Sequence, residues 1–173
     1  MKNITLTVSH ILVSIFAYGQ DTALTSIATL SLPHGSKKVN KQQYLDYSKA
    51  HFKKRNVYLL DDHAYVIDNM LVTIRNRSLP PGKIKTLEIW KTELEGVFKE
   101  TKATFIESDI VTLNNNRFLI FEYSREDETY LSSYSDYING KSIMVLIDYK
   151  QVDEQKAHQY LQKLLTNIRF NRQ

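Results

Sequence analysis

Four β-type segments follow one another over residues 103–149 with almost nothing between them, and that succession constrains the fold more than any other feature. They cover about 103–113, 117–124, 129–138 and 141–149. Asn114-Asn115-Asn116 separates the first two, Arg125-Glu126-Asp127-Glu128 the next two, and Asn139-Gly140 the last two. Connections this short join antiparallel neighbours, and Asn-Gly between alternating β residues is the strongest short hairpin signal. Two of the segments contain continuous apolar runs, Phe118-Leu119-Ile120-Phe121 and Ile143-Met144-Val145-Leu146-Ile147. An antiparallel sheet with one wet face would alternate instead, so both faces of this one are expected to be covered.

Three amphipathic helices are available to cover them. Asn40 can cap a helix running to about Lys54, with Tyr44, Tyr47 and His51 on one side and Leu45, Ser48 and Phe52 on another. A second runs from about Thr86 to Glu100, with Leu87, Trp90, Leu94, Val97 and Phe98 as one apolar stripe. A third starts at about Asp153 and carries Ala157, Tyr160, Leu161, Leu164, Leu165 and Ile168. Ahead of the meander, Ala28–Leu32, Val57–Leu60 and Ala64–Arg75 read as strands, the last interrupted at Asp68-Asn69 by a tight turn or bulge. The fold class expected is α+β: a three-layer α/β/α sandwich, mostly antiparallel, with helices on both faces. One domain spans residues 28–170, after a flexible leader at 20–27.

Residues 1–19 stand apart from that domain and read as a cleaved signal peptide. Lys2 provides a positive start, Ile4–Ala17 is almost free of charge, with His10 its only titratable group, and is short for a bilayer span, and Ala17-Tyr18-Gly19 offers small residues at a cleavage site. An uncleaved anchor or a buried N-terminal helix competes with that reading. A membrane span needs about 20 apolar residues, however, and a cytosolic helix would show a polar face. Export places the protein in the periplasm or outside the cell, with no transmembrane segment after cleavage. The chain of 173 residues has no cysteine, which excludes a disulfide scaffold, thiolate metal sites and a cysteine nucleophile. Its net charge is only +4, with both signs interspersed, so no nucleic-acid partner is expected.

The element order and several phrases resemble the PsbP/Mog1-like alpha/beta/alpha sandwich superfamily. The phrases are Ser31-Leu32-Pro33-His34-Gly35-Ser36-Lys37-Lys38, the asparagine turn into Arg117-Phe118-Leu119-Ile120, and Leu164-Leu165-Thr166-Asn167-Ile168-Arg169-Phe170. With the signal ending in Gly19-Gln20, they are also similar to small exported uncharacterised proteins of Bacteroidota. The resemblance implies assembly or binding roles. It carries no catalytic motif, so no functional residue transfers from it.

Chemistry has few local candidates. Asp61-Asp62-His63 is the densest ligand-like cluster, yet neighbours on an extended chain point to opposite faces and a polar turn explains the same residues. His34, His51 and His158 are scattered, each without a sequence partner in an HxxxH or HxxE pair. No GxSxG or SxxK occurs, and the glycines never cluster into a phosphate loop. Recognition has two candidates. In the stretch 130–137, Tyr130, Tyr134 and Asp136 share one face of an extended chain and Tyr137 lies on the other, suited either to a contact surface or to a ladder packed beneath a helix. At the end of the first helix, Lys53, Lys54 and Arg55 could meet an anionic partner or simply complement the helix dipole.

The sequence therefore points to an exported, non-enzymatic binding or assembly module, acting on a protein or small ligand of the cell envelope and using no cofactor. The alternative is an envelope hydrolase or metal-assisted enzyme built on the Asp61-Asp62-His63 turn.

Overall fold

The computed structural model describes residues 22–25, 27–52, 63–80, 83, 85–101, 103–125 and 128–171. Among the described residues there are ten strands and three α-helices: β1 (Thr22–Leu24), β2 (Ala28–Ser31), β3 (Lys37–Val39), α1 (Lys41–Phe52), β4 (Ala64–Ile67), β5 (Met70–Ser78), α2 (Leu87–Lys99), β6 (Thr104–Leu113), β7 (Asn116–Arg125), β8 (Glu128–Ser135), β9 (Lys141–Tyr149), α3 (Glu154–Thr166) and β10 (Arg169–Phe170). Seven strands form one antiparallel sheet in the order β3-β4-β5-β9-β8-β7-β6. The meander from β6 to β9 is as the sequence indicates, and its turns show why. Asn114 and Asn115 take φ of 49° and 61°, and Asn139 and Gly140 take 52° and 73°. Two successive positive φ values make the mirror-image turn that suits a right-twisted hairpin, a conformation asparagine and glycine tolerate best.

The apolar runs alternate between two cores. On one side Val72, Ile74, Phe118, Leu131, Val145 and Ile147 meet Ala157, Leu161, Leu164 and Leu165 of α3. β2 joins them through Ala28 and Leu30, held in a second, three-stranded sheet of order β1-β2-β10. On the other side Leu119 and Phe121 meet Leu87 of α2, while Tyr44 and Phe52 of α1 cover Ala64 and Leu71. Each leucine-sized side chain so buried contributes roughly 1.5–3 kcal/mol. The architecture is thus the α+β sandwich expected, with helices on both faces.

The starts of α1 and α2 are chemically specified. Asn40 Oδ1 accepts from the Gln43 amide and Gln43 Oε1 accepts from the Asn40 amide, each at 2.9 Å, a reciprocal capping box. Thr86 Oγ1 accepts from the Ile89 amide to open α2.

Several boundaries differ from the sequence reading. Thr22–Leu24, assigned to a loose leader, pairs with β2, because β10 leaves the other edge of that strand occupied and this one open. The long 64–75 segment is a hairpin turning at Asp68, φ 50°, and its second strand continues to Ser78 by pairing with β9. Val97 is 54% exposed, so the α2 stripe narrows to Leu87, Trp90, Leu94 and Phe98. The strand expected at 57–60 lies outside the described residues.

Candidate functional site

The α2 face is only partly closed, and its most distinctive chemistry gathers around Trp90. Alternation along β5 sends Arg77 to this face, and alternation along β8 sends Tyr134 there. Trp90 stacks on Tyr134 with ring centroids 5.8 Å apart. The Arg77 guanidinium lies 4.2 Å from the Trp90 centroid and 5.4 Å from that of Tyr134. Lys85 Nζ stands 3.4 Å from the Trp90 centroid and pairs with Glu93. Trp90 Nε1 donates to the Tyr137 hydroxyl over a long 3.4 Å contact. Among the described residues no carboxylate forms an ion pair with Arg77. Cations over indole are held by the ring quadrupole and need no counter-charge to stay in place, which leaves the guanidinium edge free to receive one.

A charged strip borders this platform. Arg117 pairs with Glu88 of α2 and lies 3.7 Å from Asp136. Hydrogen bonding within its own residue and to Arg117 holds the Glu88 carboxyl below the usual range, whereas burial raises that of Asp136 against the pull of Arg117. Burial likewise raises the Tyr134 phenol, which is 8% exposed.

Of the residues singled out in the sequence, Tyr134 and Tyr137 meet Trp90, Asp136 lies by Arg117 in the charged strip, and Tyr130 is elsewhere. Tyr130 stacks on Tyr123 at 4.8 Å and donates to Glu128, within an aromatic group that includes Phe98, Phe105 and Phe121. Next to that group a cleft of about 480 Å³ opens at the C-terminal end of α2, with Glu95 and Lys99 as its charged lining. Lys53, Lys54, Arg55, Asp61 and Asp62 lie outside the described residues. His63 is half-buried; its carbonyl accepts from the Ile74 amide, and its Nδ1 has no hydrogen-bond partner among the described residues. Sequence reasoning missed Arg77 and Lys85, and used Trp90 only as part of an apolar stripe. Nothing local marks them, because the platform joins β5, the loop before α2, α2 and β8 across the sheet.

The opposite face holds a separate polar group. Glu122 of β7 is 2% exposed; the Tyr149 hydroxyl donates to its Oε1, and His158 Nε2 lies 3.1 Å from its Oε2. Burial, and then the bond to Glu122, raise the Tyr149 phenol far above its ordinary value. Glu154 comes close enough for one donor atom each of Glu122, Glu154 and His158 to lie within 4.8 Å of one another.

An antiparallel sheet between helical layers, with these element connections, defines a PsbP-like fold. The chain is similar in structure to cyanobacterial PsbP (CyanoP) from Synechocystis sp. PCC 6803, with a TM-score of 0.53 over 83% of this chain and 86% of that one. The identity is 10%, so the likeness is one of fold. No family model matches the sequence, and no curated protein matches it.

Proposed function

We propose that this chain is an exported, non-enzymatic binding or assembly module whose contact surface centres on Trp90. The observation that carries this reading is the Arg77 guanidinium stacked on Trp90 and Tyr134 with no paired carboxylate among the described residues. A rigid aromatic base with a guanidinium on it is the composition of contact hot spots, where Trp, Tyr and Arg dominate. Such a surface takes an anionic group, and the Tyr137 hydroxyl beside Trp90 adds a hydrogen-bonding group that can select among anions. The partner is then a protein or small ligand of the envelope bearing a carboxylate. Export is supported by the order of charge, apolar stretch and small residues in 1–19. The alternative, an envelope hydrolase or metal-assisted enzyme built on Asp61, Asp62 and His63, rests on the sequence alone, since Asp61 and Asp62 lie outside the described residues.

Trp90 is the only tryptophan, so its fluorescence reports on this surface and nothing else. The test is a pull-down from the native envelope fraction with the parent and with Arg77→Gln, followed by titration of the captured partner against Trp90 emission. The parent should retain a partner that shifts the emission, and Arg77→Gln should lose it. Equal retention by both proteins refutes the surface. N-terminal sequencing from the native host should begin at Gln20 or within two residues; an intact Met1 in the envelope refutes export.

A further inference from the structure

The polar group on the α3 face is a different arrangement from the Trp90 surface and answers to different chemistry. Glu122 is almost wholly removed from water. A carboxylate in such a position is costly unless its oxygens are satisfied or its charge is matched. Tyr149 occupies Oε1, which leaves Oε2 facing the helix, where it meets His158. Glu154 and His158 are four residues apart on α3, so they project from the same side one turn from each other. The three groups therefore converge from a rigid strand and a well-buried helix rather than from loops.

We propose that Glu122, Glu154 and His158 form a site for a first-row divalent cation, zinc above all. One imidazole nitrogen with two carboxylate oxygens is a donor set that suits zinc and its neighbours better than calcium or magnesium, which prefer oxygen throughout. Two ligands at about 2.0–2.2 Å from a tetrahedral zinc stand ~3.3 Å apart, by simple geometry. The 3.1 Å between His158 Nε2 and Glu122 Oε2 already matches that spacing. Glu154 is exposed and needs a movement of about 1.5 Å to close the 4.8 Å span to the same distance. Two carboxylates and a neutral imidazole also balance the charge of a divalent ion. Tyr149 is a positioning residue: by holding Oε1 it fixes the direction of Oε2, as outer partners of metal ligands commonly do. The exposed side of Glu154 and the half-exposed imidazole leave the fourth position to water.

The experiment is isothermal calorimetry of zinc into the chelator-treated, tag-free chain, with cobalt absorption in the visible as a second readout of ligand geometry. The variants are Glu154→Gln, at an exposed position, and His158→Gln, at a half-exposed one, so that none of the buried apolar residues of α3 is changed; His51→Gln on α1 is the control. Far-UV circular dichroism and the denaturation midpoint verify that each variant folds. The parent should bind a single saturable equivalent, His158→Gln and Glu154→Gln should each weaken it by about tenfold or more, and His51→Gln should leave it unchanged. Absence of saturable binding in the parent, or binding that survives both α3 substitutions, overturns the site.

Discussion

The two faces of the seven-stranded sheet are built to different standards. Beneath α3 the apolar packing is nearly complete, with Ala157, Leu161, Leu164 and Leu165 buried against Val72, Ile74, Leu131, Val145 and Ile147. Beneath α2 only Leu87 of the helix is fully buried, while Trp90, Leu94 and Phe98 are half-covered and Ile89 and Val97 face solvent. The sheet below it is aromatic and hydroxyl-rich, with Tyr123, Tyr130, Ser132 and Tyr134. One face therefore carries most of the apolar burial that holds the domain together. The other retains wide aromatic area and, in Arg77, a guanidinium with no ion pair among the described residues, which leaves something for a partner to bind. Stability and recognition are separated by the thickness of one sheet.

The sharpest way to break that contrast is to truncate one apolar side chain of each helix to alanine. Leu164→Ala should cost about 2–5 kcal/mol in chemical denaturation, since its cavity forms in a filled core. Val97→Ala should stay within about 0.5 kcal/mol, as an ordinary surface change does. Equal costs would mean that α2 is as firmly docked as α3.

Next in size is Tyr149→Phe, which deletes the hydroxyl that satisfies buried Glu122. Leaving a buried carboxylate oxygen without its donor should cost about 1–3 kcal/mol, measured the same way. A neutral result would show water reaching Glu122, and the α3 face would then be less dry than its apolar packing indicates.

Arg77→Gln should cost no more than about 1 kcal/mol, because a partly exposed cation over an aromatic ring is worth little to folding. Its effect should fall on binding instead. A large loss of stability with binding intact would reverse the roles given to the two faces.

The smallest effect at neutral pH concerns Tyr44 of α1, whose phenol is pushed from 10.0 up to about 12 by burial and by the charge of Asp148. A group whose pKa is raised by folding contributes stability that is intact below its unfolded value and lost as pH rises through the folded one. The parent should therefore lose stability between pH 10 and about 12, and Tyr44→Phe should lose less of it there. Identical alkaline profiles would show that Tyr44 ionises without resistance and that the α1 side of this face opens to water.

Much of the fold was legible in the sequence because its signals are local. Asn139-Gly140 and the paired asparagines specify their turns through backbone sterics, and Asn40 with Gln43 specifies a helix start through two reciprocal hydrogen bonds. The spacing Glu154-x-x-x-His158 was equally legible as two donors on one helix face, but it matches neither of the HxxxH and HxxE spacings by which the histidines were judged. What completes that set is Glu122, which a different strand supplies. The tyrosine stretch was ambiguous for a related reason. Alternation predicts that Tyr130 and Tyr134 share a face, but whether a helix covers that face depends on where α2 docks.

By itself, then, the sequence determined the three helices, the antiparallel meander, the Asn40 cap and the need for helices on both sides of the sheet. Each of these follows from steric and hydrogen-bonding preferences that act over a few residues. Only the tertiary structure decided that β9 returns to pair with β5, and with it that Arg77 reaches Trp90 and Tyr134. It likewise decided that α3 brings Glu154 and His158 over Glu122. Those juxtapositions depend on long-range pairing and on how a twisted sheet seats its helices, and no local spacing along the chain encodes them.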